Sequence, residues 1–195
     1  MSEKPPRVAV MAGINGAGKT TASKEILLNV LKIPVFTNAD AVARGLNAFN
    51  PESEAMRAGR VMLEWLDDLA EARRDFAFET TLAARTYATW LAKLKASGYE
   101  VYLYYFWLES PDTAISRVAQ RVKSGGHHIP EATIRQRYSR SIRNFFELYR
   151  PLCHLWRVYD NSGPESRFIA FGKYESETIY DGDTWERIER SANNG

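Results

Sequence analysis

The sequence predicts a single α/β domain around a mainly parallel sheet, and three observations carry that reading. Short apolar, β-branched runs alternate with stretches of helical period. The first run opens directly into a glycine-rich loop, and the length of 195 residues suits one domain at roughly 100 to 200 residues each.

Arg7-Val-Ala-Val-Met-Ala12 reads as a strand buried on both faces. A helix follows from Thr20 to Lys32, with Ile26, Leu27, Val30 and Leu31 at three- and four-residue spacing. Pro34 to Thr37 is a second strand. The stretch after Pro51 is a long helix with Met62, Trp65, Leu66 and Leu69 on one face, and Asp75 to Glu79 is a third strand. A helix around Tyr87 to Ala96 stops at Gly98, ahead of the aromatic strand Tyr99 to Leu108, whose rings read as core. Ser110-Pro-Asp112 opens a helix to about Lys123, which Gly125-Gly-His-His-Ile-Pro130 breaks. Glu131 to Arg150 is helical with an apolar stripe of Ile134, Tyr138, Ile142, Phe145 and Tyr149, and Leu155 to Tyr159 is a fifth strand. Beyond Pro164, two strand-like pieces, 167–171 and 177–180, and a terminal helix from about Asp183 read as a small appendage. The domain then covers residues 1–195, with a core of about 7–162, a helical lid of about 117–135 and the appendage at about 165–195.

Twenty-six basic residues against 24 acidic ones leave a formal charge of +2, which argues against a DNA-coating protein or a polybasic membrane binder. The lone Cys153 excludes an intramolecular disulfide framework and a cysteine-based zinc knuckle, so a reducing, cytoplasmic setting is expected. Val101 to Leu108, the longest apolar run, is far short of the ~20 residues that span a bilayer. Val8 to Ala12 is too brief for the core of a signal peptide.

Gly13-Ile-Asn-Gly-Ala-Gly-Lys-Thr20 matches G-x-x-x-x-G-K-[ST] between a strand and a helix. Such a loop cradles the phosphates of a nucleoside triphosphate. Gly13, Asn15, Gly16, Ala17 and Gly18 aim backbone N–H groups inward, Lys19 neutralises the β and γ phosphates, and Thr20, with Thr21 beside it, offers a hydroxyl to Mg²⁺. No Asn-Lys-x-Asp guanine signature is present, which favours ATP over GTP.

Asp40 follows the second strand, on the carboxyl edge where open α/β sheets bind ligands, or else it caps a helix beginning at Ala41. Glu79 ends the third strand, where a carboxylate contacts Mg²⁺, its water or an acceptor hydroxyl; the alternative is a solvated or capping role. Arg117 and Arg121 share a helix face, and Arg135, Arg137, Arg140 and Arg143 follow, with Glu131 the single acid between Arg117 and Arg143. This concentration suits a lid over polyphosphate, a solvated basic face, or a surface for a protein or RNA partner. His127 and His128 have no metal-ligand partners at useful spacing.

Gly-x-Asn-Gly-Ala-Gly-Lys-Thr-Thr21, Asn38-Ala-Asp40, Ala58-Gly-Arg60, Phe78-Glu-Thr-Thr-Leu82, Arg117-Val-x-x-Arg-Val122, Gly125-Gly-His-His-Ile-Pro130 and Tyr159-Asp-Asn-Ser162 occur in order. The set resembles the zeta-toxin-type P-loop kinases from about Arg7 to Ser162. The resemblance implies a nucleoside-monophosphate-kinase-like fold with five parallel strands, helices on both faces and a helical lid. It implies ATP- and Mg²⁺-dependent phosphorylation of a small-molecule hydroxyl, with a UDP-N-acetyl sugar as acceptor. Asp40 matches the family's acidic base, Glu79 with Thr81 its acceptor-binding pair, and Arg117 its first lid arginine. A second phosphate-binding arginine of the family falls near His127, leaving Arg121 or Arg135 to substitute. An antitoxin protein joins ATP and the acceptor among the implied partners, with neither DNA nor membrane expected. The alternative is an ATP-binding, slowly hydrolysing module whose basic lid engages a protein or RNA.

Overall fold

A run of small and β-branched residues with no polar interruption has to lie between two layers, and Val8 through Ala12 are fully buried at the middle of the sheet. The computed structural model describes residues 4–126 and 128–193. It orders the chain as β1 (Arg7–Ala12), α1 (Lys19–Glu25), β2 (Phe36–Thr37), α2 (Ala39–Leu46), α3 (Ala55–Glu71), β3 (Phe76–Thr80), α4 (Thr86–Ala96), β4 (Glu100–Trp107), α5 (Pro111–Lys123), α6 (Glu131–Asn144), β5 (Leu155–Asp160), β6 (Arg167–Lys173), β7 (Ser176–Ile179) and α7 (Gly182–Asn193).

The strand order is β2-β3-β1-β4-β5-β6-β7. The first five strands run parallel, with Val8 opposite both Phe76 and Val101. From β1 the chain moves to the β3 side and later crosses to β4, so the loop after β1 lies at the switch in strand order. That is where open α/β sheets bind ligands. Alternation puts Phe76, Phe78, Leu103, Tyr105 and Trp156 on one face. There Trp90 of α4 packs on Phe76 and Phe78, Phe145 stacks on Tyr105 at 4.7 Å, and Trp185 of α7 stacks on Trp156 at 5.6 Å.

The five expected strands run parallel, and the two strand-like pieces of the expected appendage add to the same sheet, which corrects the strand count. β6 pairs antiparallel with β5, and β7 antiparallel with β6, making seven strands. The connection from β5 to β6 is too short for the dozen or more residues of a parallel crossover, so the strand has to turn back. Arg167 ties it there through ion pairs to Asp160 at 2.5 Å and Asp181 at 3.4 Å. Gly172 leaves room for the Trp156 ring, which an added Cβ would meet at 2.4 Å.

Other boundaries shift for local reasons. The expected helix to Lys32 continues past α1 as a wider π turn, Ile26–Leu31, and Lys32 ends it in the left-handed region at φ 58°. A similar turn, Phe145–Tyr149, follows α6, and all five residues of the expected apolar stripe are buried. Trp65 leaves the buried stripe of α3 and is 39% exposed, while Met62, Leu66 and Leu69 are covered. α2 is a two-turn helix that begins at Ala39, two residues before the Ala41 start considered for it.

Candidate active site

Each loop at the carboxyl edge of the parallel strands contributes to one cleft. The loop after β1 is the phosphate cradle. Its backbone needs conformations that side chains resist: Gly13 sits at φ 141°, where a Cβ would come within 2.3 Å of the Phe106 carbonyl oxygen, and Gly18 begins α1 in the left-handed region at φ 79°. Gly16 is also left-handed, and a Cβ on it would press on the Ala114 carbonyl at 3.0 Å and Arg117 Cβ at 3.3 Å. The loop therefore touches α5 directly. Asn161, just past β5, supports the loop from its other side by donating 2.7 Å to the Ala17 carbonyl.

Lys19 is 5% exposed, and its Nζ donates to the Ile14 carbonyl at 3.0 Å and lies 3.5 Å from Glu79 Oε1. Burial lowers the Lys19 pKa, and the Glu79 carboxylate opposes that shift; Asp40 also favours the charged form, while Arg121 disfavours it. Thr20 Oγ1 donates 2.7 Å to Glu79 Oε2. Lys19, Thr20 and Glu79 thus form one unit, with the carboxylate at the end of β3 facing the cradle. Thr21 is exposed on the first turn of α1.

The N-cap of α2 is Asn38, whose side chain accepts from the Ala41 N–H at 2.7 Å, so the capping alternative for Asp40 is corrected. Asp40 instead lies in the first turn, half-exposed, with Oδ2 at 4.0 Å from Arg121 Nη1. That separation brings α2 and α5 together across the cleft. Arg117, one turn earlier on α5, donates 3.0 Å to the Ser162 carbonyl and 3.3 Å to that of Gly163. Thr81 Oγ1 accepts from the Ala83 N–H at 3.4 Å, within the turn that follows β3.

Of the two arginines available to replace the family's second lid position, Arg121 reaches the cleft. Arg135 forms a 2.6 Å pair with the exposed Asp112 side chain. His127 lies outside the described residues. The lid span begins in the second half of α5, and Val118, Ile129 and Ile134 anchor it in the core.

Sequence reasoning missed two residues. Arg137, one of several similar arginines, donates 3.2 Å from Nη1 to Asn15 Oδ1 of the phosphate loop. Asn161 entered only as part of Tyr159-Asp-Asn-Ser162; its position directly after a parallel strand was the available signal.

Two hard oxygen donors, Thr20 and Glu79, stand side by side next to the cradle. Among the described residues no group of three or more His, Cys, Asp or Glu could hold a metal ion. The Thr20 hydroxyl and the Glu79 carboxylate are hard oxygens of the kind Mg²⁺ takes, one or two from protein with water and substrate phosphate completing its shell. No helix among the described residues is long and apolar enough to cross a membrane.

A mostly parallel sheet, a complete phosphate loop at its switch point and a carboxylate and arginines around the cleft define a P-loop kinase. The family model described as "Zeta toxin" matches residues 1–165, and the chain belongs to the zeta toxin family. An uncharacterised protein of Haemophilus influenzae is 29% identical over 126 residues, 65% of this chain and 88% of that protein. Crystal structures of the AvrRxo1-ORF1:AvrRxo1-ORF2 complex, one with sulphate ions and one with ATP, match in fold with TM-scores of 0.76 and 0.75 at 14% identity. They cover 94% of this chain, which spans 63% of the length of the matched chain. A structure of the PezAT chromosomal toxin-antitoxin system of Streptococcus pneumoniae matches with a TM-score of 0.64 at 16% identity, covering 100% of this chain and 89% of that one.

Proposed function

We propose that the protein transfers the γ-phosphoryl group of ATP to a hydroxyl of a small molecule. The observation that carries the reading is Asp40 facing Arg121 at 4.0 Å across the cleft from the Lys19, Thr20 and Glu79 unit. A carboxylate opposite the cradle is what an acceptor hydroxyl requires, whereas nucleotide binding alone has no use for it.

Gly13 to Thr20 hold the β and γ phosphates through backbone N–H groups and the Lys19 ammonium. Thr20 and Glu79 would hold Mg²⁺, whose charge neutralises the phosphate oxygens when it is bound. Asp40 orients the acceptor hydroxyl. As its oxygen bonds to the γ-phosphorus, the bond to the β–γ bridging oxygen breaks, ADP leaves with that electron pair, and Asp40 takes the hydroxyl proton. A carboxylate is a weak base at neutral pH, but a loose transition state releases the proton late and asks mainly for orientation. Arg121 offsets charge on the transferring group, and Arg117 borders the nucleotide beside the Ser162–Gly163 turn.

The family makes a UDP-N-acetyl sugar the first acceptor to test, with Asp40, Glu79 and Thr81 at its hydroxyls. The PezAT likeness supports a search for an antitoxin partner, and a cytoplasmic setting accords with the lone, buried Cys153. ADP release measured with and without candidate acceptors tests the reading. Acceptor-dependent acceleration supports it; hydrolysis indifferent to every acceptor supports a nucleotide-gated binding module instead.

A further inference from the structure

Three parts of the cleft converge on one turn, residues 161–166 between β5 and β6. The phosphate loop meets it through the Ala17 carbonyl, which accepts 2.7 Å from Asn161 Nδ2. α5 meets it through Arg117, which donates to the Ser162 and Gly163 carbonyls. The loop after β4 meets it through the Glu109 N–H, which donates 2.8 Å to Ser162 Oγ. Whatever fixes this turn therefore acts on all three.

Residues from the start of the C-terminal hairpin fix it. Asp160, 4% exposed, accepts from the Ser162 N–H at 2.8 Å and from its hydroxyl through Oδ1, while Arg167 of β6 grips Oδ2 at 2.5 Å. Ser166 Oγ, exposed at the end of the turn, donates 2.6 Å to Asn161 Oδ1. The Asn161 N–H donates 2.9 Å to the Trp107 carbonyl, so the backbone there is already tied to the sheet. What is left to settle is which end of the Asn161 amide faces the phosphate loop.

The Ala17 carbonyl can only accept, so the amide nitrogen has to face it, and the amide oxygen then faces Ser166. A serine hydroxyl rotates to donate, and its bond to Oδ1 selects that orientation over the flipped one, which would set two oxygens against each other. The consequence reaches the cradle through one peptide unit. No cis peptide occurs among the described residues, so the Gly18 N–H points opposite to the Ala17 carbonyl. Drawing that carbonyl toward Asn161 turns the Gly18 N–H away from it, at the N-terminus of α1 where phosphate is to be held. The approach is tight, since a Cβ on Gly18 would meet Asn161 Nδ2 at 3.2 Å.

We infer that Ser166 is a positioning residue of the nucleotide site, acting through the Asn161 amide on the Ala17–Gly18 peptide, so that the C-terminal hairpin sets the affinity of the phosphate loop. Ser166 lies just past residues 1–165, and membership in the family assigns it no role. The inference rests on the phosphate loop holding a nucleotide and is independent of the acceptor.

The test is calorimetric titration of ADP with Mg²⁺ into the full-length protein, with thermal melts of the nucleotide-free protein alongside. Ser166→Ala should raise the Kd for ADP about three- to tenfold, the scale of one hydrogen bond. Ser166→Thr, which keeps the hydroxyl, should restore affinity to near the wild-type value. Asn161→Asp keeps the shape but loses the donor, and should weaken binding more than Ser166→Ala does. Ser176→Ala removes another exposed hydroxyl of the same hairpin, one that bonds the Lys173 carbonyl within its own turn, and should bind ADP as wild type does. Melting temperatures of nucleotide-free Ser166→Ala and Ser176→Ala should match that of wild type, which separates positioning from a loss of stability. Equal ADP affinity in wild type and Ser166→Ala overturns the inference and leaves the phosphate loop intact. Equal losses in Ser166→Ala and Ser166→Thr, or in Ser166→Ala and Ser176→Ala, also overturn it. Wild-type protein that binds neither ADP nor ATP removes the nucleotide reading itself, and the inference with it.

Discussion

The Arg137 guanidinium donates 3.2 Å to the side-chain oxygen of Asn15, joining α6 to the phosphate loop across 122 positions of sequence. Arg135, two residues earlier on the same helix, pairs with exposed Asp112 at the surface. A hydrogen bond from a charged group is worth roughly 1.5–3 kcal/mol, whereas an exposed ion pair is worth about 0–1 kcal/mol. Arg137→Ala should therefore lower kcat/KM for ATP about 10- to 100-fold, and Arg135→Ala should leave it nearly unchanged. Steady-state kinetics on the two variants distinguish them; equal effects would remove Arg137 from the site.

Lys19→Ala should abolish turnover and weaken ATP binding, because the ammonium is lost while the backbone N–H groups of the cradle remain. The pH dependence follows from the buried position. Burial lowers the Lys19 pKa, so as pH rises the ammonium is lost before an ordinary lysine at ~10.4 would lose it. ATP affinity should fall on the alkaline side, below the usual lysine range, in calorimetric titrations from neutral pH upward. Unchanged acceptor phosphorylation by folded Lys19→Ala protein contradicts the assignment of the loop.

Arg117 and Arg121 share α5 but meet different partners, the Ser162–Gly163 carbonyls and Asp40 respectively. Arg117→Ala should mainly raise the KM for ATP. Arg121→Ala should mainly lower kcat, by about 10²- to 10³-fold, the usual loss for a group that meets charge developing in the transition state. The reverse pattern would exchange their roles, and small equal effects would return both to a solvated face.

The phosphate loop was legible because its glycines, lysine and threonine act within eight consecutive residues, so local pattern and local geometry coincide. Asp40 and Glu79 were legible as carboxylates at strand ends. Which oxygens Glu79 meets depends on the register of β1 with β3, which places Met11 opposite it. Arg137 was hidden among the four arginines of α6, since only the packing of that helix decides which one turns toward Asn15. The pairing of β6 with β5 was less hidden, because the short connection after Asp160 already forbade a parallel crossover. The anchoring of that strand by Arg167 and by the Trp156–Trp185 stack was not visible without the fold.

Asp160 gives the anchoring of β6 an acid sensitivity. Burial works against its ionised form, but hydrogen bonds from Ser162 and Arg167 outweigh burial and hold its pKa below the ordinary value. A carboxylate depressed in the folded state contributes stability above its unfolded pKa of ~3.9 and loses it as pH falls through the lower folded value. Asp160→Asn should be less stable than wild type near pH 7, and the difference in Tm should shrink below about pH 4. Thermal melts of both proteins across that window check it; a gap that widens in acid has the wrong sign.

Asp40 opposite the phosphate cradle is the centre of the account, and mass spectrometry of its reaction products tests it most directly. Wild-type protein and Asp40→Asn are incubated with ATP, Mg²⁺ and a panel of UDP-N-acetyl sugars, other nucleotides and sugar phosphates, with ATP affinity followed in parallel. The account predicts a phosphate-sized mass gain on one acceptor that falls about 10²- to 10⁴-fold in Asp40→Asn while ATP binding survives. ATP hydrolysis with no acceptor modified, or a product formed equally by both proteins, would contradict it.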